Sequence, residues 1–537
     1  MKAGLGKSEI TCFIPGIGMM GYGKPQNIVA SIMTPLHSRA CVFQDSSDNP
    51  FIFVNIEQCF VSIKITREVL SRLQNKYPEK KITFNNLMIT AQHTHAAPGG
   101  FSEYSFYNFS IPGFSRNVFD TVVDGIVASI DEALSSLFEV SIEYTEVEAP
   151  ENMEVAFNRS VRAYNANDDT KNISEDEASL AVERKMLALK LRDKEGELKG
   201  LINWFGVHCT SVSNENTAIH HDNKGVASIL YEKKNPGCIA IFAQGLAGDI
   251  SPNWIWDRKL KRTRGRYKDQ YENADYNGQL QFDLALQLEN NNALLSFDKI
   301  SAFHSFFDYA AMAAAPAHGS GFFKGTKEGP AVHPFLISII NLISSLNRMR
   351  VMSFGNEANK QFIRDHGNKK IVVDHRNGEV LGLPISISKY LGFIPDPILK
   401  SFSAQARSGA LDTLPWVPAV VPVQLVFLGE VAIAGIPGEI TTVAGKRLRD
   451  FLQKQLQAMN IKKVIISSYA NGYMGYITTP EEYDQQMYEG AHTVYGRAAL
   501  ATVLLSFDLL LTGKSDFQSS KCFRISDEEL KKRSVCL

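Results

Sequence analysis

Apolar and polar positions alternate at the two-residue period of a strand in "KITFNNLMIT" (81–90), which runs directly into the loop "AQHTHAAPGG" (91–100). The period lengthens to that of an amphipathic helix in "TVVDGIVASIDEALSSLF" (121–138). Two short apolar runs, "GLINWFGVHCTSV" (200–212) and "GCIAIFAQGLAG" (237–248), predict buried strands that end in glycine-rich loops. "AVVPVQLVFLGEVAIAGIPGE" (419–439) predicts a hairpin turning at Gly429-Glu430. "KVIISSYANGYMGYITT" (463–479) predicts another strand entering a loop, and "GRAALATVLLSFDLLLTG" (496–513) a closing helix. The sum is an α/β fold of mixed β-sheets with flanking helices, its active site in loops at strand ends. The boundaries expected are a catalytic domain over 1–513 and a charged C-terminal tail over 514–537.

Composition narrows the class only a little. At 537 residues, 44% hydrophobic and 21% charged, the chain has the makeup of a globular protein, and its net charge of −1 gives no general attraction to nucleic acid. No apolar run of about 18 residues predicts a transmembrane helix. The N-terminal apolar patch is preceded by Glu9 and broken by Pro15, Gly16 and Gly18, which makes a poor signal peptide. Seven unpatterned cysteines suit free thiols in a reducing compartment. The expected location is therefore cytoplasmic, or exported without a leader, and peripheral to membranes.

Two regions change the picture. Residues 305–415 are the least regular, and their Phe-, Ile- and Leu-rich segments, Phe335–Leu346 and Leu391–Phe402, read as core or as the rim of a groove for a lipid tail. The run "DRKLKRTRGRYKDQ" (257–270) carries seven Lys or Arg, as a solvated face or as a contact for acidic headgroups.

The chemistry concentrates at strand-to-loop junctions. If the first strand persists far enough, His93 and His95 share a face, as a metal ligand and its neighbour or as an acid/base pair. The bland alternative is two polar residues at a strand end. His208 ends an apolar strand, and Asp249 and Ser251 sit in the turn "AQGLAGDISPN". Glu439 follows a Pro-Gly turn and opens a helix, as a capping carboxylate does. Tyrosines crowd "SSYANGYMGYITTPEEYDQQMYEGAHTVYG" (467–496). Two histidines, a carboxylate and phenols suit Zn²⁺. No H-E-x-x-H, C-x-x-C, P-loop or G-x-S-x-G motif is present, so spacing alone reaches no further than a metal-dependent hydrolase.

The ordered set "MMGYG", "HTHAAPGG", "FNRS", "NWFGVHCTS", "DNKG", "GDISPN", "PGE", "ITTPEEYDQQMYEG" and "VYG", from Met19 to Gly496, resembles the neutral (non-lysosomal) ceramidase family. The resemblance implies a zinc amidohydrolase that cleaves the N-acyl bond of ceramide to sphingosine and a fatty acid, with one Zn²⁺ per chain. It implies zinc ligands at His93, His208, Glu439 and Tyr476, and a water activated by the ion as nucleophile. His95 would handle a proton or hold the carbonyl oxygen, Tyr488 would donate to the developing oxyanion, and Arg159 would anchor the substrate's headgroup. Ser251 is the family's competing nucleophile, though its sequence neighbours supply no base; the alternative is a loop residue fixed by an ST-type bond.

The chain departs from the family pattern at Gln92 and Ala96-Ala97, where T-H-T-H-S-G-P-G-G is usual, and at Ser211–Asn214, where the loop is usually Ser-Met-Asn-Asn-like. Too few residues follow "VYG" for the immunoglobulin-like sandwich of many members, which suggests a stand-alone catalytic domain. The expected partners are ceramide or a related N-acyl sphingolipid and a membrane or micelle surface, with no nucleic acid. The rival readings are a hydrolase of another N-acyl lipid amide and a catalytically inactive lipid-binding relative.

Overall fold

Strand Pro50–Ile56 contains no charged residue, and all seven of its side chains are buried. Such a run belongs inside a sheet covered on both faces. In the computed structural model Phe51 and Phe53 point to one side, and Ile52, Val54 and Ile56 to the other, into two different apolar clusters. The structure describes residues 1–309 except 109, 112, 261, 289–291 and 294. It further describes 312, 319–320, 373–375, 378–380, 383–393, 397–514 and 525–533.

Three mixed sheets form the frame. The first has the spatial order Leu87–Ala91, Pro50–Ile56, His37–Gln44, Lys2–Glu9 and Phe138–Glu139. The second runs Ile239–Gln244, Leu198–Phe205, Lys185–Arg192, Ser141–Glu148 and Asn292–Ala293. The third runs Ile300–Asp308, Val420–Leu428, Val431–Gly435 and Lys463–Ser467. All three contribute to one central cluster, through residues such as Phe53, Trp204, Ile241, Val426 and Ile465. Trp204 also donates its indole N–H to Ser467 Oγ at 3.1 Å, which joins the second sheet to the third. Helices cover the outer faces. The predicted α/β architecture is what the chain adopts.

Each sheet contains one parallel pair joined through a helix. Pro50–Ile56 and Leu87–Ala91 are linked by helix Ile63–Lys76, and Leu198–Phe205 and Ile239–Gln244 by helix Asp222–Lys234. Val431–Gly435 and Lys463–Ser467 are linked by helix Thr442–Leu456. The carboxyl ends of such parallel strands are where open α/β sheets build their binding crevices. Here the three ends are stitched together. Gln244 donates its amide to the carbonyls of Gln92 (2.8 Å) and Val207 (2.6 Å) and accepts the Val207 N–H at 3.2 Å. Ser468 Oγ donates to the Gly245 carbonyl at 2.6 Å. Asn471 accepts the Ile89 N–H through its side chain and donates its backbone N–H to the Ile89 carbonyl, both at 2.8 Å.

Several predicted elements shift at their ends for physical reasons. The helix expected over 121–138 spans Arg116–Ser135, because Ser115 caps it by accepting the Val118 N–H while Phe138 joins a sheet edge. The hairpin turns at Gly429-Glu430 as predicted, with Leu428 opposite Val431. Of the two apolar segments proposed as a groove rim, Phe335–Leu346 lies outside the described residues. From the second the structure describes the turn Leu391–Phe393 and helix Pro397–Ser408. The tail region includes a docked helix, Asp527–Lys532, with Leu530 buried and the Arg533 guanidinium donating to the carbonyls of Glu103 and Thr413. Among the described residues no helix is long and apolar enough to cross a membrane, and Cys12, Cys41, Cys59, Cys209 and Cys238 are free and buried.

Candidate metal centre

The strand before the histidine pair ends at Ala91, and His93 takes a left-handed backbone conformation with φ 74°. The expectation that an extended strand projects both histidines on one face is therefore corrected. The chain turns at His93, and only Thr94 rejoins the sheet frame, as an isolated parallel bridge to Cys209. That turn brings the two imidazoles together, with Nε2 of His95 3.0 Å from Nε2 of His93. Gly21 of "MMGYG" makes room for it. Its backbone lies against the His95 ring, so closely that a Cβ at Gly21 would fall 2.4 Å from His95 Cγ.

His208 arrives from the second sheet, anchored by its N–H to the Ile250 carbonyl at 3.1 Å. Glu439 arrives from the third. It does not open a helix, as its sequence context suggested; it lies in a short strand, Glu439–Ile440, and the helix begins at Thr442. That strand pairs in parallel with Tyr476–Ile477, which sets Glu439 beside Tyr476. Four side chains from three sheets thus converge where the stitched carboxyl ends meet.

The hydrogen bonds fix their chemistry. His93 Nδ1 lies 2.6 Å from the Cys59 carbonyl and His208 Nδ1 2.7 Å from the Ala247 carbonyl. A carbonyl oxygen only accepts, so both Nδ1 atoms carry a proton and both Nε2 atoms face inward, where each ring offers its lone pair when neutral. Those Nε2 atoms face Glu439 Oε2, at 3.4 Å from His93 and 3.0 Å from His208. Glu439 Oε1 accepts the Tyr473 hydroxyl, while among the described residues the buried Oε2 meets only the two histidines. Tyr476 Oη, 3.5 Å from His208 Nε2, accepts from Arg159 Nη2 at 2.9 Å.

The buried Glu439 carboxylate, faced by the Nε2 atoms of His93 and His208, calls for positive charge, from a proton on His93 or from a cation that replaces it. Burial alone would lower the His93 pKa, yet the Glu439 carboxylate lifts it to about 10, while burial and Arg159 lower His208 to about 4. Burial would raise Glu439, and His93 and His208 hold it well below the usual carboxylate range. Burial and Glu439 push the Tyr476 phenol well above its usual range, so ionising it needs positive charge beside it. Two nitrogens, a carboxylate oxygen and a phenol are a donor set that fits a divalent cation of zinc type. His93, His208 and Glu439 are close enough to share one ion. Cys59, His93 and His95 form a second close group, but there the His93 Nδ1 is already spent on the Cys59 carbonyl.

The remaining expected residues surround this centre. Arg159 donates to Glu489 Oε1 (2.8 Å), the Gly248 carbonyl (2.8 Å) and Tyr476, and its guanidinium lies over the Tyr488 ring at 4.9 Å. Tyr488 meets Tyr476 edge to face at 5.6 Å. Ser251 is buried in a two-residue strand paired with Phe157–Asn158, and its Oγ accepts the Asn253 N–H at 3.0 Å. Asp249 holds the same loop, accepting from Thr442 and Asn158. Two departures from the family pattern touch, since Ala96 and Val212 share a small buried cluster with Ala274.

Sequence reasoning missed Tyr473, Glu489, Gln244 and the Cys59 carbonyl. Tyr473 lay within the tyrosine-rich stretch and Glu489 beside Tyr488. Nothing local marked Gln244 or Cys59.

A profile described as "Neutral/alkaline non-lysosomal ceramidase, N-terminal" matches residues 1–378 and 400–504. Neutral ceramidase B of Dictyostelium discoideum is 30% identical over 552 residues, covering 95% of this chain and 71% of that protein. The neutral ceramidase of Pseudomonas aeruginosa is 31% identical over 520 residues, covering 92% and 69%. A solved structure described as a ceramidase complexed with C2 superposes with a TM-score of 0.78 at 28% identity, covering 98% of this chain and 77% of that one.

Proposed function

The chain belongs to the neutral/alkaline non-lysosomal ceramidase family and is a hydrolase of that class, and from that premise we propose that it cleaves the N-acyl bond of ceramide around one zinc ion. The ligands would be His93, His208, Glu439 and Tyr476. The observation that carries this reading is Glu439 Oε2, buried and faced by the Nε2 atoms of two histidines whose Nδ1 atoms are held by backbone carbonyls. When bound, zinc acts as a Lewis acid and brings the pKa of a water to about 7, supplying a nucleophile at neutral pH.

The protein's own groups account for the rest. The Cys59 and Ala247 carbonyls hold the histidine tautomers. Arg159 donates to the Tyr476 hydroxyl and so favours its ionised form. With that guanidinium already engaged by Glu489 and Gly248, its role is to position Tyr476 and Tyr488 as well as to meet the substrate headgroup. His95 Nε2 lies 3.0 Å from His93 Nε2, and burial and His93 hold its pKa well below the ordinary value, so a proton that reaches this ring is readily given on to the leaving amine. Tyr488, beside Tyr476, is the donor for the developing oxyanion. The Asn253 N–H on Ser251 Oγ supports Ser251 as the residue that shapes the "GDISPN" loop, with the activated water as nucleophile.

Purified protein should release fatty acid from defined ceramides, lose that activity to a chelator and regain it with added Zn²⁺. Turnover of ceramide that persists after the metal has been stripped would reject the zinc reading. Equal turnover of short, water-soluble N-acyl amides would reject the lipid reading.

A further inference from the structure

The basic run is not one uniform face. It contains an antiparallel hairpin, Ile255–Asp257 against Arg262–Arg264, that grows from the wall of the metal centre. At its root Asn253 Nδ2 donates to the Thr210 carbonyl at 2.8 Å, two residues beyond His208. Trp254 stacks on Phe157 at 4.6 Å, two residues before Arg159. The root is therefore fixed to two of the segments that carry the site.

Three of the arginines are tied within the protein. Arg262 pairs with Glu215 at 3.4 Å, Arg264 with Asp257 at 3.2 Å and Arg266 with Glu154 at 3.0 Å. The tip differs. Asp257 Oδ1 accepts the N–H groups of Lys259 (2.9 Å) and Leu260 (3.1 Å), an Asx-type lock on the turn. That lock presents Trp256, 51% exposed, and Leu260, 36% exposed, next to the exposed Arg258 and Lys259. Among the described residues, Arg258 and Lys259 have no ion-pair partner.

A turn that holds a tryptophan and a leucine in water beside two cations without ion-pair partners among the described residues is poorly suited to solvent. It is well suited to the headgroup layer of a bilayer, where an indole sits at the interface and cations meet lipid phosphates. So small a tip presents far less than the roughly 800 Å² per partner of a stable protein interface. A bilayer needs no such complementary surface. We propose that the Trp256–Leu260 tip docks the enzyme on anionic bilayers, inserting Trp256 and Leu260 while Arg258 and Lys259 pair with lipid phosphates. The choice of a lipid surface rests on the proposed ceramide-cleaving function, which requires the substrate to be taken from a membrane.

The test uses the full chain and vesicles free of ceramide, either phosphatidylcholine alone or mixed with phosphatidylglycerol. The wild type should sediment with the mixed vesicles and shift its tryptophan emission to the blue. Trp256→Ala/Leu260→Ser should abolish that shift. Arg258→Glu/Lys259→Glu should weaken binding by about tenfold or more at low salt, a difference that added salt suppresses. Both variants should keep the wild-type melting temperature and cleave detergent-solubilised ceramide at the wild-type rate. The proposal is overturned if the wild type ignores the mixed vesicles, or if folded variants bind them as well as it does. It is also overturned if the variants lose micellar hydrolysis, which would make the tip part of the substrate cleft. Retention on immobilised polyglutamate without vesicle binding would assign the tip to an acidic protein and overturn it equally. Hairpin-dependent vesicle binding by a protein inactive on every ceramide would uphold the docking surface while rejecting the ceramidase reading.

Discussion

Glu439 and Tyr476 are direct partners in parallel register, each the first residue of a two-residue strand, Glu439–Ile440 against Tyr476–Ile477. One backbone pairing sets a carboxylate and a phenol side by side where His93 and His208 arrive from two other sheets. The first prediction follows from that convergence. His208→Ala should carry almost no zinc, where the wild type carries about one ion per chain, and should lose activity by about 10³-fold, the several kcal/mol of a Lewis acid. Metal analysis of the folded variant checks it. A His208→Ala protein that retains full zinc would show that another set of groups holds the ion.

Gly21 tests how the second histidine is held. With φ 124° and His95 Cγ 2.4 Å from where a Cβ would lie, Gly21→Ala must push the imidazole aside. Turnover should fall by about 10²-fold, as expected when a reacting group is misplaced by an ångström. Gly23, at φ 64° with open space around it, is the control. Both substitutions should cost about 1–3 kcal/mol of stability through backbone strain, but only Gly21→Ala should lower kcat. Similar kcat losses in the two variants would remove His95 from the explanation.

Ser251→Ala separates the two nucleophiles. If Ser251 Oγ serves mainly to accept the Asn253 N–H, its loss should cost about 1 kcal/mol in a denaturant titration and leave most of the turnover in place. Mass spectrometry during turnover should find no acyl group on the wild-type chain. An acyl adduct on Ser251 would overturn the assignment to an activated water.

The fourth prediction concerns acid stability. Glu57 is fully buried, accepting from Arg39 Nη1 at 2.6 Å and from the His37 N–H at 2.7 Å, while Arg39 also donates to Glu232. Burial alone would raise the Glu57 pKa, but Arg39 and His37 hold it well below its ordinary 4.5. Between the folded and unfolded pKa values the unfolded chain binds the extra proton, so stability rises with pH there. The contribution is complete above about pH 4.5 and drains away as the pH falls below it. Glu57→Gln leaves Arg39 short of a buried counter-charge and should lose about 3–5 kcal/mol at pH 7. Its unfolding midpoint should then fall less steeply than the wild type's between pH 5 and pH 3, roughly the window of an ordinary glutamate. Parallel acid slopes would show that Glu57 is not the titrating group.

The sequence by itself determined the element types and the residues worth watching. Strand and helix periods are local properties of side-chain placement, so the hairpin at Gly429-Glu430 and the closing helix, Ala499–Thr512, were legible from neighbouring residues alone. His93, His208, Glu439 and Tyr476 were legible as a set only through their resemblance to a family, because no two of them lie within helical or strand spacing of each other. Tertiary structure decided what brings them together. The left-handed turn at His93, the parallel pairing of Glu439 with Tyr476, and the Gln244 amide that binds the carbonyls of Gln92 and Val207 are long-range events. The same holds for the Cys59 and Ala247 carbonyls that hold the histidine Nδ1 protons, and for the basic run, in which Arg262 and Arg266 are paired because Glu215 and Glu154 arrive from elsewhere in the chain. A local pattern states which face a side chain prefers; which lone pair meets which proton is settled only when distant strands close on one another and water is excluded from between them.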